Sequence, residues 1–125
     1  MTTCPSTTLV GEGVAQDVRF TTAIFAGTQE DFCADVTGAN GPVDILVDVS
    51  TSWPVTLTVY GGDGPVAGKD KSYTVPAESC MCIPVSTGET VHADGMLHFS
   101  LSSIGALALT RPRVAVVKHI RVKNH

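Results

Sequence analysis

Histidine and cysteine are the side chains in this sequence best suited to bind a metal ion, and each occurs four times. The histidines are His92, His98, His119 and His125, and the cysteines are Cys4, Cys33, Cys80 and Cys82. Structural zinc sites usually place paired ligands with two to four residues between them, whereas Cys80 and Cys82 are separated by one. No histidine pair has a metal-binding spacing either. The sequence therefore predicts no metal ion and no other cofactor.

The sequence contains carboxylates and nucleophiles that catalysis could use, but their spacing does not suit it. Asp44 and Asp48 would share one face of a strand, but four residues of strand hold them about 13 Å apart. That separation exceeds the distance between the two carboxyl groups of glycosidases. No serine lies in a nucleophile-elbow motif, although cysteine and histidine from distant segments can still meet in the fold. We predict a protein that is not an enzyme.

The distribution of charge points to a binding role for the end of the chain. Residues 1–110 contain all 12 acidic residues and three basic ones, a charge of −9. Residues 111–125, called the tail below, contain five basic residues and no acid, which brings the net charge to −4. An acidic body with a basic tail suggests a tail that meets an acidic partner. The alternative is a basic edge strand that prevents aggregation between sheet edges.

Within the tail, Arg113, His119, Arg121 and Lys123 alternate onto one face of a predicted strand. We predict that these four side chains bind a partner protein. Nucleic acid is not the expected partner, because no aromatic side chains are interleaved with the basic ones and the body is acidic.

Two aromatic residues offer a further binding site. Trp53 precedes the strand predicted at residues 55–60 and Tyr60 ends it, and the two are candidates for a small sugar-binding platform. The competing interpretation is that Trp53 is an anchor in the core or in a protein interface. We include Trp53 among the predicted partner-binding residues.

The elements that position these residues are predicted to be strands. Period-2 alternation of apolar and polar residues recurs along the chain, and Gly- and Pro-rich turns separate the alternating segments. The predicted strands are residues 18–25, 43–49, 55–60, 73–75, 79–85, 96–102, 107–109 and 114–122. Only residues 28–34 suggest a turn of helix. The pattern predicts an all-β protein with two antiparallel sheets packed as a β-sandwich of about eight strands.

The chain is expected to be one domain, with residues 1–8 as an N-terminal arm outside the core and residues 9–125 as the sandwich. We expect no signal peptide, because the first residues contain neither a basic region nor an apolar one, and no apolar segment is long enough to cross a membrane. Only 16% of the residues are charged, against about 25% in a typical protein. So few charges leave much uncharged surface, which favours self-association or docking. The cysteines are expected to be free thiols, with Cys80 and Cys82 too far apart to form a bridge.

The chain resembles the jelly-roll decoration, or cement, proteins of tailed bacteriophage capsids. The resemblance lies in the polar N-terminal segment, the many short strands, the low charge and the abundance of Thr and Val in the chain, and segments 55–62, 73–85 and 96–110 carry it. It implies a jelly-roll fold, a homotrimer and a position in the virion, where the protein would bind the major capsid protein and hold capsomers together. The alternative from another class is a carbohydrate- or receptor-binding β-sandwich module.

Overall fold

The protein is an all-β sandwich in a computed structural model that describes residues 2–10, 18–24, 26–37, 43–62 and 68–120. The strands are β1 (Thr2–Thr3), β2 (Ser6–Val10), β3 (Thr21–Thr22), β4 (Gln29–Asp35), β5 (Val43–Val49), β6 (Val55–Val59), β7 (Lys71–Val75), β8 (Ser79–Val85), β9 (Met96–Ser102) and β10 (Arg113–Ile120). Two single-turn helices, α1 (Thr87–Thr90) and α2 (Leu107–Thr110), connect strands.

The strands form two sheets that face each other. Sheet A has the order β1-β4-β9-β6-β7, and sheet B has the order β2-β10-β5-β8, with β3 also pairing with β10. From β3 to β10 the chain distributes its strands between the sheets in the order of a jelly roll. The predicted sandwich is confirmed. The sheets are mixed rather than wholly antiparallel, because β1 pairs with β4 and β2 with β10 in parallel.

The core lies between the sheets and follows the predicted alternation. In β5, for example, Val43, Ile45, Val47 and Val49 are buried while the residues between them are not. The rings of Phe32 and Phe99 stack across strands β4 and β9 with their centroids 5.5 Å apart. Burial of such side chains is the main source of stability in a domain of this kind.

We expected residues 1–8 to form an arm outside the core, but the described part of this N-terminal segment belongs to the sheets. Strand β1 adds to sheet A and strand β2 adds to sheet B, so the segment joins both sheets. Cys4, at the crossing between them, is buried, and this burial raises the pKa of its thiol. Strands β1, β2 and β4 were not predicted, and the described residues form ten strands, whereas about eight were expected.

Two further expectations were wrong. Residues 28–34 were predicted to allow a turn of helix, yet they contribute most of β4, although Asp, Glu and Ala are poor strand formers. Pairing with β9 along the whole strand, with Phe32 and Ala34 buried, outweighs that local preference. Residues 107–109 were expected to be a strand and instead form most of α2. Of the strand predicted at 18–25, the described part contains only β3.

Candidate functional site: an apolar end of the sandwich

Large apolar side chains stand exposed at the surface in four places within the described ranges. The exposed fractions are 67% for Ile24, 45% for Trp53, 80% for Ile104 and 79% for Leu109. Single exposed apolar residues are normal, whereas a group of them marks an interaction surface. Whether these four residues form an interaction surface therefore depends on whether they lie together.

Three loops bring these residues to one end of the sandwich. Trp53 lies in the loop between β5 and β6, and its ring packs against Gly105, where an added Cβ would lie 3.5 Å from the ring. Ile104 precedes that glycine, and Leu109 follows in α2. Ile24 belongs to a third loop. Its neighbour in sequence, Ala23, donates its backbone N–H to the carbonyl of Pro112 at 2.8 Å, which ties this loop to the segment that follows α2. We call Ile24, Trp53, Ile104 and Leu109 the apolar end.

Helix α2 fixes the direction in which Leu109 projects. Leu107 is fully buried and anchors the helix, and its backbone N–H donates to the carbonyl of Gly27 at 2.9 Å. The C-cap of the helix is Arg111, which has a positive φ of 44° and donates its N–H to the carbonyl of Leu107. Because Leu107 points into the core, Leu109 is left on the outer side of the single turn. Its exposure is a consequence of the fold.

A cleft of about 330 Å³ opens within the apolar end. Its lining residues are Thr51, Ser52, Trp53, Gly105, Leu109 and Thr110. The buried Oγ1 atom of Thr51 has no hydrogen-bond partner among the described residues. The cleft therefore combines apolar side chains with threonine and serine residues in its lining, which is typical of small binding pockets.

The tail residues predicted to bind a partner have a different position. The guanidinium of Arg113 donates through Nε to Oδ2 of Asp48 at 3.1 Å and lies 4.8 Å from the centroid of the Phe20 ring. Arg113 therefore has partners within its own chain. The side chain of His119, and Arg121 and Lys123 as a whole, lie outside the described residues.

The tail strand does not protect a sheet edge over residues 113–120. Strand β10 lies inside sheet B, with β5 on one side and β2 and β3 on the other. Val114 and Val116 face the core, as their alternation with Arg113 predicts. The interpretation of the tail as a basic edge strand is wrong for this part of it.

Trp53 and Tyr60 do not form a shared aromatic platform. They lie at opposite ends of β6, whose five residues span about 17 Å. The Tyr60 hydroxyl donates to Oδ1 of Asp31 at 3.2 Å and accepts from Nε2 of Gln29 at 3.3 Å. This hydrogen-bonded cluster lies on the outer face of sheet A, away from Trp53.

The arrangement closest to a catalytic one is also on the outer face of sheet A. Cys33 of β4 is the cross-strand partner of His98 in β9, and Nε2 of His98 lies 2.8 Å from Oδ2 of Asp94. Hydrogen bonds from the backbone N–H of Met96 and from His98 lower the pKa of Asp94. The ring of His92 lies 4.4 Å from that of His98. Sequence spacing gave no sign of this cluster, because β4 was not predicted as a strand.

Neither of these polar clusters makes a metal centre. In the part of the chain that the structure covers, no group of three His, Cys, Asp or Glu residues is arranged to hold a metal ion. No helix in the same residues is long and apolar enough to cross a membrane. The chain matches no protein-family model and no curated protein.

Sequence reasoning identified Trp53 but missed the other members of the apolar end. Ile24 and Leu109 were assigned to strands, where one face of a strand is normally buried. Ile104 carried a usable signal, because an isoleucine between Ser103 and Gly105 sits in a turn and cannot be buried by strand pairing.

Proposed function

We propose that the protein is a non-enzymatic structural protein that docks into a larger assembly through its apolar end. The observation that carries this proposal is the exposure of Ile24, Trp53, Ile104 and Leu109 at one end of the sandwich, where Trp53 and Leu109 also line a 330 Å³ cleft. A rigid sandwich holds these loops, so the surface needs little ordering when it binds. Aromatic and aliphatic anchors beside a pocket are the usual centre of a protein interface.

The assembly we propose is a homotrimer bound to a viral capsid, with the major capsid protein as the second partner. Support comes from the jelly-roll order of β3 to β10, the low charge and the resemblance to capsid decoration proteins. Three copies around a three-fold axis would bring three apolar ends together at the axis and cover the apolar side chains. The outer faces of the sheets would stay available to the capsid.

Oligomeric state tests this proposal. Light scattering coupled to size exclusion is expected to give the mass of three chains for the wild type and a smaller mass for a variant with Trp53→Ser and Leu109→Ser. A wild-type protein that is monomeric at micromolar concentration would contradict the proposal.

A second function has one specific observation in its favour. Gln29, Asp31 and Tyr60 form a hydrogen-bonded group on the outer face of sheet A, close to the hydroxyl groups of Thr58 and Ser72, which lie 3.0 Å apart. Carboxylate, amide and phenol groups of this kind bind the hydroxyls of sugars. A carbohydrate-binding module would bind ligands on a glycan array and lose them on Tyr60→Ala, and it would not depend on Leu109.

A further inference from the structure

The outer face of sheet B carries two exposed thiols on its edge strand. Cys80 and Cys82 belong to β8, which ends the order of sheet B, and both are free and exposed. Being two residues apart, they project from the same face of the strand. Neither residue contributes to the core or to the apolar end.

The spacing keeps the thiols from bonding to each other and suits a bridging ion. Their Cα atoms are about 6.6–7 Å apart, at or beyond the limit for a disulfide. A metal–thiolate bond is about 2.3 Å long, so an ion held linearly between two sulfurs needs them roughly 4.6 Å apart. Side chains on a strand lean along its direction in two common rotamers, which lets the two sulfurs approach each other.

The neighbouring strand β5 places Leu46 opposite Cys82 and Asp48 opposite Cys80. The Asp48 carboxylate is already engaged by the Arg113 guanidinium, which donates to it through Nε at 3.1 Å. The two thiols are therefore the groups that would hold an ion on this face.

We propose that Cys80 and Cys82 form a two-thiolate site for a soft, two-coordinate cation, of which copper(I) is the natural example. Soft thiolates select copper(I), whereas zinc requires four ligands and this face offers two thiols. Binding converts two thiols and one copper(I) ion into an anionic bis-thiolate complex and releases two protons. No change of oxidation state is involved.

Anaerobic titration of the reduced protein with copper(I), in competition with a chromophoric chelator, tests the site. The wild type is expected to bind one ion per chain, with X-ray absorption showing two sulfur ligands. Cys80→Ser and Cys82→Ser should each weaken binding by roughly 100-fold or more, since each removes one arm of a chelate. Cys33→Ser, on the other sheet, is the matched control and should bind as the wild type does.

Three results would overturn the proposal. They are unchanged affinity in the variant lacking both Cys80 and Cys82, equal loss in the Cys33→Ser control, and one ion shared between two chains with a corresponding dimer. Because both thiols are exposed, the serine variants should keep the wild-type melting temperature, so a change in binding can be separated from a change in folding.

Discussion

Replacing Leu109 by serine should weaken assembly without weakening the fold. Burying a leucine side chain completely is worth about 1.5–3 kcal/mol. Leu109 is 79% exposed in the single chain, so an interface that covers it gains roughly 1–2 kcal/mol from it. Since 1.4 kcal/mol is a factor of ten in affinity, Leu109→Ser should weaken each contact roughly 5- to 30-fold.

Leu107→Ala in the same helix is the matched control. Leu107 is fully buried, and truncating a buried leucine costs about 2–5 kcal/mol of folding stability. An exposed substitution such as Leu109→Ser usually changes stability by no more than about 0.5 kcal/mol. Leu107→Ala should therefore lower the melting temperature, whereas Leu109→Ser should weaken association and leave the melting temperature nearly unchanged.

Sedimentation velocity over a range of concentrations, together with thermal denaturation, measures both effects. If Leu109→Ser associates as tightly as the wild type while keeping its melting temperature, the apolar end is not the interface. If Leu109→Ser lowers the melting temperature as much as Leu107→Ala does, the Leu109 side chain contributes to the fold and is not simply exposed on α2.

Four other predictions concern the core, the thiols, an acidic turn and the tail. Phe99→Ala should lose about 3–5 kcal/mol in denaturant unfolding, because it removes one ring of the buried stack. Cys4 should react with Ellman's reagent only after unfolding, whereas the exposed thiols react in the native protein; immediate reaction of all four would contradict the burial of Cys4. The pKa of Asp94 is lowered in the fold, so its stabilisation is present above the ordinary pKa of about 3.9 and is lost as the pH falls through the folded value; Asp94→Asn should differ in stability from the wild type at pH 7 and converge with it in acid. Reversing Arg121 and Lys123 to Glu should leave the melting temperature unchanged and weaken assembly most at low salt, and unchanged assembly there would remove the tail from the interface.

Strands with clean alternation could be predicted from the sequence. In β5, β6 and β9, every second residue is Val, Ile, Leu or Phe, and the structure buries those residues as expected. The pattern of period 2 carries the information because the two faces of a strand meet different environments.

The failures have a common physical origin in long-range pairing. Strand β4 has the composition of a helix, and its conformation depends on β9, which lies more than 60 residues further along the chain. Cys4 is buried only because β1 and β2 pair with opposite sheets. Two other features also depend on which strands and loops become neighbours: the cluster of Cys33, Asp94 and His98, and the apolar end. A local stretch of sequence carries no information about such long-range pairing.

The mass of the wild-type protein in solution tests the central claim most directly. Sedimentation equilibrium at micromolar concentration should give the mass of three chains, and the fluorescence of Trp53 should shift to shorter wavelength as the protein is concentrated from monomer to trimer. A single species with the mass of one chain, and a Trp53 emission that does not change with concentration, would contradict an apolar end that is covered by assembly.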